Sequence, residues 1–358
     1  MANKFGVIGV LAGVAAAGVA AGVAAERALV GRTRNETNDP FTHEPFGELP
    51  YDQSLTVTTA DGLDVYVEVL EPADGVAIGL DDEEPEPTLI FVHGFCLDMG
   101  TFHMQRRYLD GGGYRMVFYD QPGHGRSGRL HDGEYELPML GEVLRDVIDE
   151  TVPAGPIVLI GHSMGGMAIM ACAERYPDLF AERVAGVVLI STSGGRSEVG
   201  KLGGVPELVA NAGALMPVVS RANRFSGPMI DRARHASSDL AWLLTRRYGF
   251  GTKRPSPALV SYVEHMNSAT PVDTVARYLR TLYSHARYPA LQAIRDKPVL
   301  VVCGGKDTIL PVAHSQEIVR HLPDAELVIV PDSGHVVLLE HADEVNAAMQ
   351  RFLDRVVK

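Results

Sequence analysis

The sequence predicts an α/β fold, a doubly wound and mostly parallel sheet with helices on both faces. Short β-rich runs recur along the chain at Thr88–Val92, Arg115–Tyr119, Ile157–Ile160, Val187–Ile190, Val299–Val302 and Leu327–Val330. They are apolar without alternation, which is the pattern of strands covered on both faces. Each is followed by a segment of helical character, the spacing of βαβ crossovers. With 358 residues, 46% apolar and 22% charged, the chain has the length and composition to close a large core around such a sheet.

The elements follow in order from the N-terminus. From Phe5 to Ala25 no charged or strongly polar residue occurs, and Lys4 and Glu26 bound the run. As a helix it spans about 30 Å, the thickness of a bilayer core. Its eight Val, Leu, Ile and Phe residues favour insertion, whereas its five glycines add nothing. Gly9/Gly13 and Gly18/Gly22 have the spacing that lets helices approach closely. Residues 1–26 are therefore read as an uncleaved membrane anchor, with a cleaved secretory signal as the alternative. Against the signal, the run is long, its leading segment carries only Lys4, and the small-residue stretch Ala15-Ala16-Ala17 falls too early for cleavage. Arg27, Arg32 and Arg34 outnumber Lys4, which tilts the rest of the chain to the cytoplasmic side of that single span; the signal alternative would make it secreted.

Residues 27–50 are polar, carry Pro40, Pro45 and Pro50, and read as a linker. Leu55–Thr59 and Asp64–Leu70 alternate like two antiparallel strands joined around Asp61-Gly62. Between Asn35 and Pro87 there is no Lys or Arg, and Asp81-Asp82-Glu83-Glu84 with Glu86 reads as a solvated acidic loop. The first part of the core then occupies 51–195 and the second 291–358. Between them, 196–290 lacks a strong strand and shows helical patterns at Leu240–Tyr248 and Pro271–Ser284. It reads as a helical cap over the C-terminal edge of the sheet, where ligands bind in open α/β folds. The net charge of −13 excludes nucleic acid as a partner. Cys96, Cys172 and Cys303 are too scattered for a disulfide framework or a metal site, and Cys172 and Cys303 read as small core residues.

The strongest local pattern is Ile157-Val-Leu-Ile-Gly161-His162-Ser163-Met164-Gly165-Gly166. A buried strand ends at Gly161 and helix-forming residues, Met167–Tyr176, start at once, so the turn between them must be sharp. Such a corner strains Ser163 and exposes its Oγ, and it needs small residues at Gly161 and Gly165. A serine needs a base, and the base an orienting acid. Both occur at strand ends in the order Ser…Asp…His. Val299–Val302 leads through Gly304-Gly305-Lys306 to Asp307, and Leu327–Val330 leads through Pro331-Asp332-Ser333-Gly334 to His335. Asp332 is the rival acid; it shares a short turn with His335 and reads as a residue that caps or bends that turn. After the first central strand, Phe91-Val92-His93-Gly94-Phe95 offers a backbone N–H for an oxyanion beside that of Met164, with His93 bracing the loop.

These motifs, HGF at His93–Phe95, DQPGHGRSG at Asp120–Gly128, GHSMGG at Gly161–Gly166, GGKDTILP at Gly304–Pro311 and SGH at Ser333–His335, give the chain a close resemblance to the α/β-hydrolase superfamily. The resemblance covers roughly 51–358, least well in the cap. It implies a triad of Ser163, Asp307 and His335, oxyanion hydrogen bonds from Phe95 and Met164, and a structural, non-catalytic role for Asp120–Gly128. Serine at the elbow argues against relatives that open epoxides or remove halides with an aspartate. HGFC in place of HGGG points to lipase-like and monoacylglycerol-hydrolase-like relatives.

The expected function is hydrolysis of a carboxylic ester or lipid ester through an acyl-enzyme on Ser163, with no metal or organic cofactor implied. A thioesterase, an amidase or aminopeptidase, a C–C hydrolase or a cofactor-free haloperoxidase would carry the same triad. A membrane-tethered binding protein that had lost activity is the reading from another class, and the intact Ser163, Asp307 and His335 speak against it.

Overall fold

The computed structural model describes residues 38–72, 87–195, 239 and 241–356. The apolar run Phe5–Ala25, the acidic loop and the first half of the insertion lie outside them. The strands are β1 (Gln53–Thr58), β2 (Asp64–Leu70), β3 (Thr88–Val92), β4 (Met116–Tyr119), β5 (Ile157–His162), β6 (Val184–Ile190), β7 (Val299–Gly304) and β8 (Glu326–Val330). They form one eight-stranded sheet in the order β1-β2-β4-β3-β5-β6-β7-β8. The β1–β2 and β2–β4 pairs are antiparallel and all others parallel. The chain leaves β3 on one side to form β4 and returns on the other as β5. The loops after β3 and β5 therefore part at a crevice, the place where open α/β sheets bind ligands.

Alternate residues of each central strand feed two cores. Ile90 and Val92 of β3 join the face covered by α2 (Leu137–Thr151), α3 (Met164–Arg175) and α8 (Val312–His321). Leu89 and Phe91 join the face covered by α1 (His103–Leu109), α9 (Val337–Glu340) and α10 (Ala342–Val356). The short helix α4 (Pro177–Glu182) leads from α3 into β6. β3, β4 and β5 are buried throughout, as their unbroken apolar runs predict. β8 differs from the sequence expectation: it is the sheet edge, flanked only by β7, and Ile329 is 39% exposed.

Among the described residues of the insertion there are three helices: α5 (241–249), α6 (Pro257–Ala269) and α7 (Val272–Ser284). α5 and α7 lie where the helical patterns predicted them, and α6 is additional. Its start was marked in the sequence by Ser256-Pro257, an N-cap followed by proline in the first turn. The Ser256 hydroxyl accepts from the Leu259 N–H at 3.2 Å.

Residues 38–50, within the stretch read as a linker, lie against α1 and α6. Asp39 accepts hydrogen bonds from the Ala258 N–H and the Ser256 hydroxyl, each 2.7 Å. Phe46 stacks on Tyr262 with ring centroids 4.5 Å apart, and Glu44 pairs with His103 at 2.7 Å. No helix of the described residues is long and apolar enough to cross a membrane.

Candidate active site

Ser163 makes the turn between β5 and α3 alone, at φ 53° and ψ −116°. A non-glycine residue in this region stores on the order of 1–3 kcal/mol, held by the surrounding contacts. The corner is closed on every side. A Cβ at Gly165 would stand 1.9 Å from the Val92 carbonyl oxygen, and one at Gly161 would stand 2.6 Å from the Gly166 nitrogen. The Ser163 N–H donates to the Ile190 carbonyl at 2.9 Å, and the Thr192 hydroxyl donates to the Ser163 carbonyl at 2.6 Å.

The loops after β7 and β8 bring Asp307 and His335 to this serine. His335 Nε2 lies 2.9 Å from Ser163 Oγ, and His335 Nδ1 lies 2.8 Å from Asp307 Oδ2. A carboxylate accepts from Nδ1–H, which leaves the Nε2 lone pair facing the serine hydroxyl. Asp307 is fixed in turn: its Oδ1 accepts from the Ile309 and Leu310 N–H groups at 2.8 and 2.9 Å. All three side chains belong to buried residues. Asp332 points elsewhere. Its exposed carboxylate pairs with Lys306 Nζ at 2.6 Å, and that hydrogen bond and charge hold its carboxyl below the usual range. Of the two roles its position suggested, capping or bending the turn, it sits within the turn closed by the Ser333 N–H and the Val330 carbonyl at 3.2 Å, and its carboxylate makes the ion pair.

The loop after β3 passes beside Ser163. A Cβ at Gly94 would meet Ser163 Cβ at 3.1 Å and His162 Nδ1 at 2.9 Å. Among the described residues neither the Phe95 N–H nor the Met164 N–H has an acceptor. His93 braces the loop, as the sequence suggested: its Nδ1–H donates to the Gly94 carbonyl at 2.8 Å and its Nε2 accepts from the Gln121 N–H at 2.7 Å. Gln121 also returns its side-chain amide to the His93 carbonyl.

Several neighbours were not singled out in the sequence. His124 Nε2 accepts from the Cys96 N–H at 3.1 Å while its Nδ1–H donates to the Pro122 carbonyl at 3.0 Å. Cys96 itself sits at φ 58°. Gln121 and His124 both lie in Asp120–Gly128, so that loop serves by holding the β3 loop in place. Asp120 accepts from the Met99 and Arg126 N–H groups at 2.9 and 2.8 Å. Burial, and then the neighbouring Asp98, push its carboxyl up to about 7. His162, next to the serine, donates from Nε2 to the His335 carbonyl at 3.0 Å. Burial, and then nearby His335, push it down to about 3. Burial likewise holds His93 well below its usual value and His124 down at about 4, so these braces are neutral imidazoles. The one sequence signal for His162 was a polar residue closing an otherwise apolar strand.

The insertion meets the site through Tyr278 of α7. Its ring lies 5.7 Å from Phe95 and 5.2 Å from His124, stacks on Tyr135 at 4.3 Å, and its hydroxyl donates to the Pro122 carbonyl at 2.8 Å. Among the described residues no group of three or more His, Cys, Asp or Glu is arranged to hold a metal ion.

A family model described as the alpha/beta hydrolase fold matches residues 87–342. The chain is 29% identical over 273 residues to a dihydrolipoyllysine-residue acetyltransferase component of an acetoin cleaving system from Pseudomonas putida; the match covers 74% of this chain but only 63% of that protein, less than two thirds of its length. It is 27% identical over 295 residues to the sn-1-specific diacylglycerol lipase ABHD11 of Mus musculus, covering 77% of this chain and 82% of the lipase. A solved structure of a thermophilic esterase from Thermogutta terrifontis shares the fold with a TM-score of 0.63 at 24% identity, covering 86% of this chain and all of that one. A match over more than half of the chain, on a sheet whose winding reverses at β3, makes this protein a member of the alpha/beta hydrolase fold family.

Proposed function

We propose that the protein cleaves carboxylic esters, lipid esters among them, through an acyl-enzyme on Ser163. What carries the reading is the hydrogen-bonded line from Ser163 Oγ through His335 to Asp307, 2.9 and 2.8 Å long. His335 Nε2 takes the hydroxyl proton as Ser163 Oγ attacks the ester carbonyl. The carbonyl oxygen becomes an oxyanion, and the Phe95 and Met164 N–H groups are the donors for it. Met164 also opens α3, whose N-terminal partial charge favours the developing anion. His335 then returns the proton to the leaving alcohol. Water repeats the cycle on the acyl-enzyme, with His335 again as base. Asp307 keeps the ring in the competent tautomer and supports its charge.

Lipid esters enter the proposal on two grounds. The diacylglycerol lipase relative is named for such a substrate, and the apolar run Phe5–Ala25 would hold the enzyme at a membrane. In this reading residues 1–26 are the anchor, 51–195 and 291–358 the hydrolase core, and 196–290 the cap. Cell fractionation with N-terminal sequencing tests the anchor: a soluble product that begins near residue 26 or later would mean a cleaved signal.

A panel of esters of rising acyl length tests the chemistry, and matched thioesters and amides separate the other hydrolytic activities. Ser163→Ala should lower ester turnover by at least about 10⁴-fold with the fold intact. Asp307→Asn should approach a loss of about 10⁴-fold in kcat, and Asp332→Asn should cost far less. If Asp332→Asn were the crippling change, the acid would be misassigned.

A further inference from the structure

Three backbone groups around His335, one each on residues 334, 335 and 336, are held by different parts of the molecule. The Gly334 N–H donates to Glu340 Oε2 at 2.6 Å, the His335 carbonyl accepts from His162, and the Val336 N–H donates to the Gly249 carbonyl at 3.1 Å. Glu340 reaches furthest. It is the last residue of α9, half-buried, and its two oxygens accept from both sides. From the histidine loop come the Gly334 N–H and the Ser333 hydroxyl, the latter at 3.0 Å. From the segment that follows α5 come the Gly251 N–H, at 2.9 and 3.0 Å to the two oxygens, and the Thr252 N–H at 2.8 Å.

The two segments also touch backbone to backbone. A Cβ at Gly251 would stand 2.4 Å from the Ser333 carbonyl carbon, and one at Gly334 would stand 2.6 Å from the Gly249 carbonyl oxygen. Neither segment has room to slide over the other, and the carboxylate between them joins donors from both. Every partner of Glu340 is a donor. A carboxylate serves all of them at once, whereas an amide offers a single acceptor oxygen and turns an NH₂ group towards the remaining N–H donors.

We propose that Glu340 is a positioning residue for His335, coupling the aim of the base to the seating of the insertion at 249–252. The inference rests on the reading of His335 as the general base. Glu340 touches neither substrate nor the reacting atoms; it acts through the N–H of Gly334, the residue before His335. When 249–252 is seated, the carboxylate pins Gly334, and the imidazole is held in line with Ser163. When that segment lifts, Glu340 loses its partners on that side and the histidine loop loosens.

The test uses the full-length enzyme and Glu340→Gln, which keeps size and can serve only one of the two segments. We expect kcat for a short-chain aryl ester to fall about tenfold or more while KM moves less than about threefold, and the rate at which a fluorophosphonate labels Ser163 to fall alongside kcat. Gly251→Ala, which forces the segments apart while leaving the Glu340 side chain itself unchanged, should show the same kcat-against-KM split. Val67→Ala on β2, a control that loses stability away from the loop, should keep its kcat at temperatures where it is folded. If Glu340→Gln keeps wild-type kcat and labelling rate while His335→Ala abolishes both, the coupling is wrong and the base assignment stands. If His335→Ala labels and turns over like wild type, the base assignment fails and the coupling falls with it.

Discussion

Ser163 holds a positive φ because its neighbours leave no other course: β5 delivers it under the Ile190 carbonyl, and α3 must start at once. The same crowding makes Gly94 a position of consequence. Its φ is unremarkable, but a methyl there would crowd Ser163 Cβ and the His162 ring. On the proposed role of Ser163, Gly94→Ala should therefore lower kcat by about tenfold or more with a melting temperature within a few degrees of wild type, since contacts at 2.9–3.1 Å demand a shift of tenths of an ångström at that serine. Steady-state kinetics beside a thermal melt would check it; an unchanged kcat would show that the loop can yield without cost to the site.

At the scale of elements, the corner at Ser163 depends on α3 lying against the end of β3. Gly165 is the contact, and an alanine methyl there would meet backbone, the Val92 carbonyl oxygen, rather than a side chain that could turn away. Gly165→Ala should cost roughly 3 kcal/mol or more of unfolding free energy, measured by urea titration. Gly62, in the β1–β2 turn at φ +77°, offers the contrast: a Cβ there meets nothing within 4 Å. Gly62→Ala should cost only about 1–2 kcal/mol, the cost of a left-handed backbone for an ordinary residue. Equal losses at the two glycines would mean that the elbow is less tightly packed than these distances indicate.

For the whole molecule, the buried polar groups set the response to pH. His93, His124 and His162 all sit below the usual imidazole value of 6.5, through burial first. A depressed folded-state value means the unfolded chain binds more protons, so this stabilisation is present above 6.5 and is lost as pH falls through the folded values, about 4 for His124 and about 3 for His162. Melting temperature should therefore drop between pH 6.5 and 4, and His124→Gln should gain on wild type over that range by roughly 1–3 kcal/mol. Asp120 acts in the opposite direction. Its folded value is raised to about 7, so its contribution is full below the unfolded value of 3.8 and is lost as pH rises through about 7. Asp120→Asn should gain on wild type as pH climbs from 4 to 8. Denaturant titrations at several pH values would read both slopes, and parallel curves for variant and wild type would refute them.

Strand runs without alternation, an abrupt strand-to-helix junction at Ser163 and the chain order Ser…Asp…His were legible in the sequence by itself, because each follows from local chemistry. A strand buried on both faces admits only apolar residues, and a tight corner admits only small ones beside the serine. That local information determined the fold class and placed Ser163, Asp307 and His335 at strand ends on one edge of a parallel sheet. Which carboxylate reaches the imidazole was decided by the tertiary structure. Asp307 and Asp332 both lie in loops near His335, and only the path of each loop turns one inward to Nδ1 and the other outward to Lys306. The same holds for β8, whose apolar run looks interior until the sheet ends there, and for His162, His124 and Glu340. Their partners stand 173, 28 and 89 residues away along the chain, at His335, Cys96 and Gly251. Bonds of that separation leave no periodic trace in sequence; they exist only once packing has brought the segments together.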